Sequence, residues 1–217
     1  VIEKVRFALF SLLLVTGSVV QTHAAGSSDL AWARVKDVDA WTEVVKSAVA
    51  ATALTESIPA DISTFCPAYE QDSSADRTHF WVGLIAAIAY AETAGRFNPG
   101  DSFTESFHEH GPQSPLVVSR GLLQLSFPGD RDHYRCEIPD ADSLYDPSVN
   151  LACGVKILAK LVMRDQRLAG QVGPAWQGGA AYWSTLRSTG GKGNSNARNL
   201  AAIVHDTQAL SVCRARS

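Results

Sequence analysis

The stretch Asp76-Arg-Thr-His-Phe-Trp-Val-Gly-Leu-Ile-Ala-Ala-Ile-Ala-Tyr-Ala-Glu92-Thr-Ala-Gly95 decides the fold. Its apolar residues do not keep to one face. Phe80, Trp81, Val82, Leu84, Ile85, Ile88 and the alanines between them run all the way round a helix. A helix with almost no polar face must be covered on every side, so the spacing predicts a buried central helix that starts near Asp76 and stops at Gly95. Its end carries one charge, Glu92. Desolvation and the negative end of the helix dipole both disfavour the ionised carboxylate there, which predicts a raised pKa. A carboxylic acid still protonated near neutral pH can protonate a glycosidic oxygen and then take the proton back. The plainer alternative is a helix-end glutamate paired with Arg96.

Other helices are readable around this one. Asp39-Ala-Trp-Thr-Glu-Val-Val-Lys-Ser-Ala-Val repeats apolar residues at helical spacing through Leu54, and Pro59, Pro67 and residues 71–76 then interrupt the pattern. Residues 97–120 hold Pro, Gly, Ser and His without a period and read as a long loop. Ser119-Arg-Gly-Leu-Leu-Gln-Leu-Ser reads as a short strand or tight turn. Asp146-Pro147 supplies an N-cap and a first-turn proline for a helix through Val149, Cys153, Ile157 and Leu161. A further helix is expected over 179–187, a flexible connector over 190–196, and a last helix over 197–210. The class is mainly α with a minimal β element.

With 217 residues, 46% hydrophobic and 19% charged, the chain is too apolar to be disordered and long enough for one core. A net charge of -3 and the lack of a basic run exclude a nucleic-acid surface. Lys4 and Arg6 precede the apolar run Phe7–Val15, and Thr22-His23-Ala24 offers small residues for cleavage. Residues 1–24 therefore read as a secretory signal, and 25–217 as a single domain of about 193 residues with a charge near -4. A retained signal anchor is the alternative. The run is short for a hydrocarbon core, and no Cys follows it to carry a lipid, so no stable membrane anchor is expected once the signal is cleaved. Val1 fits a bacterial alternative start codon translated literally. Export, to the periplasm or beyond the cell, gives the four cysteines a role, since none forms a CxxC pair. Of three possible pairings we favour Cys136–Cys153, which closes a local loop, and Cys66–Cys213, which ties the front of the domain to its end. The shorter loop would contribute roughly 3 kcal/mol.

Four blocks extend the reading. Glu92-Thr-Ala-Gly-Arg-Phe-Asn-Pro99, Ser119-Arg-Gly-Leu-Leu-Gln124-Leu, Asp146-Pro-Ser-Val-Asn150-Leu-Ala-Cys-Gly154 and Ala180-Ala-Tyr182-Trp occur in an order that resembles the soluble lytic transglycosylase domain, a family sharing the goose-type lysozyme fold. The region of resemblance runs over 80–187. It implies a lysozyme-like helical domain in which Glu92 is the single catalytic acid and base. Thr93 falls where the family usually has Ser, and the resemblance counts it with Gln124 and Tyr182 as a substrate-binding residue. Gln124 matches a glutamine lining the sugar cleft, and Tyr182 matches a tyrosine near the catalytic carboxyl, while Trp183 replaces the usual Asn. Asp146, Asn150 and Gly154 match a helix that supports the cleft. The implied partner is the peptidoglycan glycan strand, and no cofactor is implied. Whether a cell-envelope or secretion machine holds the protein is left open.

The departures from the family also carry information. About twenty residues separate Pro99 from Ser119, more than short members carry, and they include Asp101, Glu105, His108, Glu109 and His110. A hydrolase needs a second carboxylate, for which Glu105 is the first candidate and Asp101 the second. A lytic transglycosylase needs none: the resemblance implies that the sugar's own acetamido group and 6-hydroxyl complete the reaction and leave a 1,6-anhydro-N-acetylmuramic acid end. That lyase reaction is the expectation, with a hydrolytic muramidase or chitinase, or an idle glycan-binding or assembly module, as alternatives. His108-Glu109-His110 lacks a third ligand and the helical HExxH spacing, so no metal site is expected. Among the aromatics, Trp81 reads as core and Trp176 as a residue able to reach a cleft rim.

Overall fold

A computed structural model describes residues 27–108 and 112–214; the proposed signal at 1–24 lies outside the described residues. Among the described residues, helices α1 (Val38–Ala50), α2 (Ile62–Phe65), α3 (Ser74–Glu92), α4 (Gly129–Tyr134), α5 (Pro147–Asp165) and α6 (Ser195–Ala209) dominate. Five short strands accompany them: β1 (Ser102–His108), β2 (Leu116–Arg120), β3 (Leu125–Ser126), β4 (Ala169–Val172) and β5 (Ala175–Gly178). The mainly α class is thereby shown. No helix among the described residues is long and apolar enough to cross a membrane.

The all-round apolar pattern of α3 has the predicted result. Every residue from His79 to Ala89 is buried, with α1 and α6 packed against the helix and α5 closing over α1. Ser73 caps the start, its hydroxyl accepting the Asp76 N–H at 3.2 Å. Polar groups carried into this core are paired. Trp81 Nε1 donates to the Tyr69 hydroxyl at 2.8 Å, which donates to the Leu54 carbonyl at 3.1 Å. His79 Nε2 lies 2.8 Å from Asp29 Oδ1, while Asp29 Oδ2 accepts both the N–H and the hydroxyl of Ser211. Burial pushes the Asp29 carboxyl up, but the bonds from His79 and Ser211 outweigh it and hold the group well below the usual carboxylate range.

Both disulfides join the expected partners. Cys66–Cys213 ties the front of the domain to its end beside the Asp29 link, and Cys136–Cys153 fastens the segment after α4 to α5. Two lysines of α5 reinforce the second tie: Lys156 Nζ donates to the Arg135 carbonyl at 2.6 Å and Lys160 Nζ to the His133 carbonyl at 2.8 Å. These bonds satisfy carbonyls at the end of α4, a helix too short to hold itself.

Two expectations are corrected. Residues 97–120 are not a structureless loop, because β1 and β2 form an antiparallel hairpin that β3 extends. Its first strand is exposed along most of its length, so no alternation of apolar and polar residues betrays it. The pairing slips between Thr104 opposite Val118 and His108 opposite Leu116, so residues 105–107 bulge against Val117 alone. Residues 179–187 are not an α-helix either. They form two 3-10 turns, Gly179–Ala181 and Ser184–Leu186, after the β4–β5 hairpin. Tertiary contact overrides local propensity there: Trp183 is extended and buried, and its indole N–H donates to the Leu123 carbonyl at 2.9 Å.

α5 starts as predicted, with Asp146 accepting the Ser148 N–H at 2.8 Å and Pro147 opening the first turn. Its buried Asn150 then holds the turn between β2 and β3. Asn150 Oδ1 accepts the Leu123 N–H, and Nδ2 donates to the Arg120 and Leu144 carbonyls, all at 2.9 Å. Gly121 makes the approach feasible: its φ is +76°, and a Cβ there would lie 2.3 Å from both Asn150 Nδ2 and the Leu144 oxygen. Replacing Asn150 strands three buried backbone groups. Asn150→Ala is expected to lower unfolding free energy by about 2–4 kcal/mol in a denaturant titration, and a loss under about 0.5 kcal/mol would show that the clamp is dispensable.

Candidate active site

α3 ends on Glu92, and the chain turns away sharply, with positive φ at Ala94, Gly95 and Phe97. Thr93 makes the turn. Its hydroxyl donates to the Ala89 carbonyl at 2.7 Å and accepts the Phe97 N–H at 3.0 Å, and the residue is fully buried. Thr93 is therefore a helix cap; it does not line the cleft, which corrects the substrate-binding role that the resemblance implied.

Glu92 itself opens onto a cleft of about 440 Å³. One wall is the hairpin, through Glu105, Phe107, Val117 and Ser119; the facing wall is α4, through Asp130, His133 and Tyr134. Gln124 and Ser126 border the cleft on the turn side, and Tyr182, Trp183 and Arg187 on the other. Burial raises the Glu92 carboxyl from its usual 4.5 to about 7, a hydrogen bond from Thr185 restrains the rise, the charge of Glu105 adds to it, and Arg187 works against it. The Thr185 hydroxyl donates to Glu92 Oε1 at 2.6 Å, fixing the carboxyl against the 3-10 turn at 184–186.

Arg96 does not pair with Glu92. Its guanidinium bonds Asp101 at 2.7 Å, and Asn98 Nδ2 donates to the same carboxylate at 2.7 Å. The Asp101 carbonyl accepts from Gly121 and Gln124. Asp101 thus fastens the link between α3 and β1 outside the cleft lining, and it is set aside as a second carboxylate. Glu105 is in the cleft, where Ser119 on the neighbouring strand donates to its Oε1 at 2.8 Å.

Gln124 and Tyr182 both line the cleft. Gln124 Nε2 is committed to the Asp101 and Gly121 carbonyls, so its amide oxygen is the group offered to a ligand. The Tyr182 hydroxyl donates to Asp130 Oδ2 at 2.6 Å, an oxygen that also accepts the Ser126 N–H at 2.7 Å. Burial and the Asp130 charge hold the Tyr182 phenol well above its usual range. Trp176 does not line the cleft; it packs on the core beneath the Arg187 guanidinium, 5.7 Å from ring centre to charge. His108 bonds the Ser114 carbonyl through Nδ1, and Glu109 and His110 lie outside the described residues. Among the described residues, no three His, Cys, Asp or Glu side chains cluster as metal ligands.

Sequence reasoning missed Asp130 and Arg187, which line the cleft, and Thr185, which is buried behind it and bonds Glu92. Each lies far along the chain from Glu92 in a segment without periodicity, and only tertiary folding brings them to it.

No family model matches the chain, and no curated protein matches it. Solved structures do. A glutamate-to-glutamine variant of Bd0314 DslA is 38% identical, superposes with a TM-score of 0.75, and spans 85% of this chain and 97% of its own. Wild-type DslA is 38% identical with a TM-score of 0.73, covering 83% of this chain and 94% of that one. A variant at a second glutamate is 37% identical with the same score. A mainly α protein whose central helix ends on a carboxyl opening into a cleft is the class that fold and site define. The chain belongs to the DslA family.

Because folding raises the Glu92 pKa, it favours the protonated form; that contribution is complete below pH 4.5 and is lost as pH rises towards about 7. Glu92→Gln keeps the oxygen that accepts from Thr185 and cannot ionise. The variant is expected to match the wild type in stability at pH 4 and to exceed it by about 3 kcal/mol above pH 7. Equal stability at both pH values, in paired thermal melts, would contradict the shifted carboxyl.

Proposed function

We propose that the protein is an exported, lysozyme-like glycosidase acting on the β-1,4 bond between N-acetylmuramic acid and N-acetylglucosamine in peptidoglycan. Glu92 is its general acid. The observation that carries this is a carboxyl at the buried end of the central helix, held protonated up to about pH 7 and open to a cleft. In that state it can give its proton to the glycosidic oxygen as the bond breaks, and the carboxylate left behind can accept one in the second step. Gln124 and Tyr182 border the same cleft and suit contacts to sugar hydroxyl or amide groups. The paired disulfides are of the kind that persist in an oxidising compartment, which supports export.

The second step separates two readings. The resemblance to lytic transglycosylases supports ring closure by the sugar's own 6-hydroxyl. A second carboxylate favours water. Glu105 lines the cleft, is oriented by Ser119, and is close enough for its charge to raise the Glu92 pKa. A carboxylate so placed can activate water or stabilise positive charge at the anomeric carbon, and hydrolysis is the step the geometry supports best. That two different glutamates of DslA have been replaced by glutamine in solved structures is in keeping with a pair of working carboxyls.

Digestion of purified peptidoglycan in oxygen-labelled water tests this. Hydrolysis leaves labelled reducing ends; unlabelled 1,6-anhydro ends as the main product would instead return the lyase reaction. Glu92→Gln is expected to lower cleavage by about 10²–10⁴-fold, and Glu105→Gln by a comparable factor in the hydrolytic route. If Glu92→Gln clears peptidoglycan as well as the wild type, the assignment of the acid is wrong, and a wild type that binds glycan without cutting it marks an idle module.

Protonated Glu92 is the active form, so activity is expected to fall as pH rises through about 7. Thr185→Val removes the bond that restrains the shift, and the alkaline limb of the kcat/KM profile should move to higher pH. A limb that stays in place or moves down would show that the Thr185 hydroxyl does not stabilise the carboxylate.

A further inference from the structure

The hairpin wall presents bare aromatic rings to solvent. Phe103 is 62% exposed and Phe107 56% exposed, on either side of Glu105 along β1. Both belong to the cleft side. Phe107 lines the cleft directly, and Phe103 stands opposite Ser119, so the two side chains share a face; Ser119 lines the cleft and bonds Glu105. Across the cleft, α4 offers His133 and Tyr134, their rings edge to face at 4.6 Å.

Large apolar side chains left in water beside a cleft mark a surface that something covers. The covering group is constrained by what lies between the two rings. A lipid tail or an apolar helix would have to bury the Glu105 carboxylate, which is costly without a partner. A β-linked pyranose avoids this, since its axial C–H groups form an apolar face suited to the electron-rich face of a ring while its equatorial hydroxyls point outward to polar groups. Phenylalanine has no polar tip and can bind only such a face.

We propose that Phe107, extended by Phe103, is a sugar-stacking platform on the hairpin, which binds glycan residues beyond the cleaved bond and makes the cleft read a strand of several sugars. The bulge at 105–107 is the device that serves it. With three residues set against Val117, the strand arches so that carboxylate and ring both border the cleft. This inference rests on the glycan-cleaving reading and deepens it: Glu105 acts at the bond, and Phe107 measures the length of what is bound.

Calorimetric titration of the Glu92→Gln protein with β-1,4-linked N-acetylglucosamine oligomers, from disaccharide to hexasaccharide, tests the platform without turnover. Affinity is expected to climb with length. Adding Phe107→Ala should reduce the hexasaccharide-to-disaccharide affinity ratio about tenfold, Phe103→Ala should reduce it less, and Phe107→Trp should preserve it. Phe107→Leu, which keeps apolar bulk and removes the ring face, should behave as Phe107→Ala does and serves if the alanine variant does not fold. A loss equal at every length, or no loss at all in a folded variant, overturns the platform alone. Absence of binding at every length overturns the glycan reading together with it.

Discussion

The constraint on which everything else hangs is the enclosure of α3. A helix whose residues from His79 to Ala89 are all buried can exist only if other elements surround it, and those elements fix where its last residue emerges. Glu92 emerges into a cleft and not into solvent, so the energy that makes the core also holds its carboxyl uncharged. Stability and chemistry are thus opposed at this residue, since an ionised Glu92 weakens the fold in the state that a finished proton transfer creates. The Thr185 hydroxyl moderates the conflict without removing it.

The surroundings of that carboxyl come from distant parts of the chain. Asn150 on α5 fixes the turn that carries Gln124, Asp130 on α4 accepts the hydrogen bond of the Tyr182 hydroxyl, and Ser119 on β2 orients Glu105. The polar groups Glu105, Gln124 and Tyr182 are each fixed through a bond with a neighbouring segment. Preorganisation of this kind lets a site act without rearranging its dipoles as charge develops. The two carboxyls are set apart by environment: one emerges from the core, the other lies on an exposed strand.

Much of this was legible beforehand for identifiable reasons. The unbroken apolar run announced α3, Asp146-Pro147 announced α5, and an even cysteine count with one local and one long spacing announced both disulfides. The hairpin was not legible, because a strand exposed along most of its length has no burial to impress a period of two upon its sequence. Thr93 was misjudged because a hydroxyl next to a catalytic candidate reads the same whether it faces a ligand or caps a helix. Asp101 stood second to Glu105 in sequence, and the neighbouring Arg96 and Asn98, which claim its carboxylate, remove it from the cleft. Asp130, Thr185 and Arg187 left no local trace, since their importance lies in what they face.

The two walls of the cleft differ in how they are moored. α4 is bolted to α5 by the Cys136–Cys153 bond and by two lysines that grip its terminal carbonyls. The hairpin is held by strand pairing with β3 and by the Asp101 and Asn150 anchors at its base, with its outer half standing clear of the core. Glu105 is thus carried by the wall that no disulfide ties down, while the α4 wall is covalently secured.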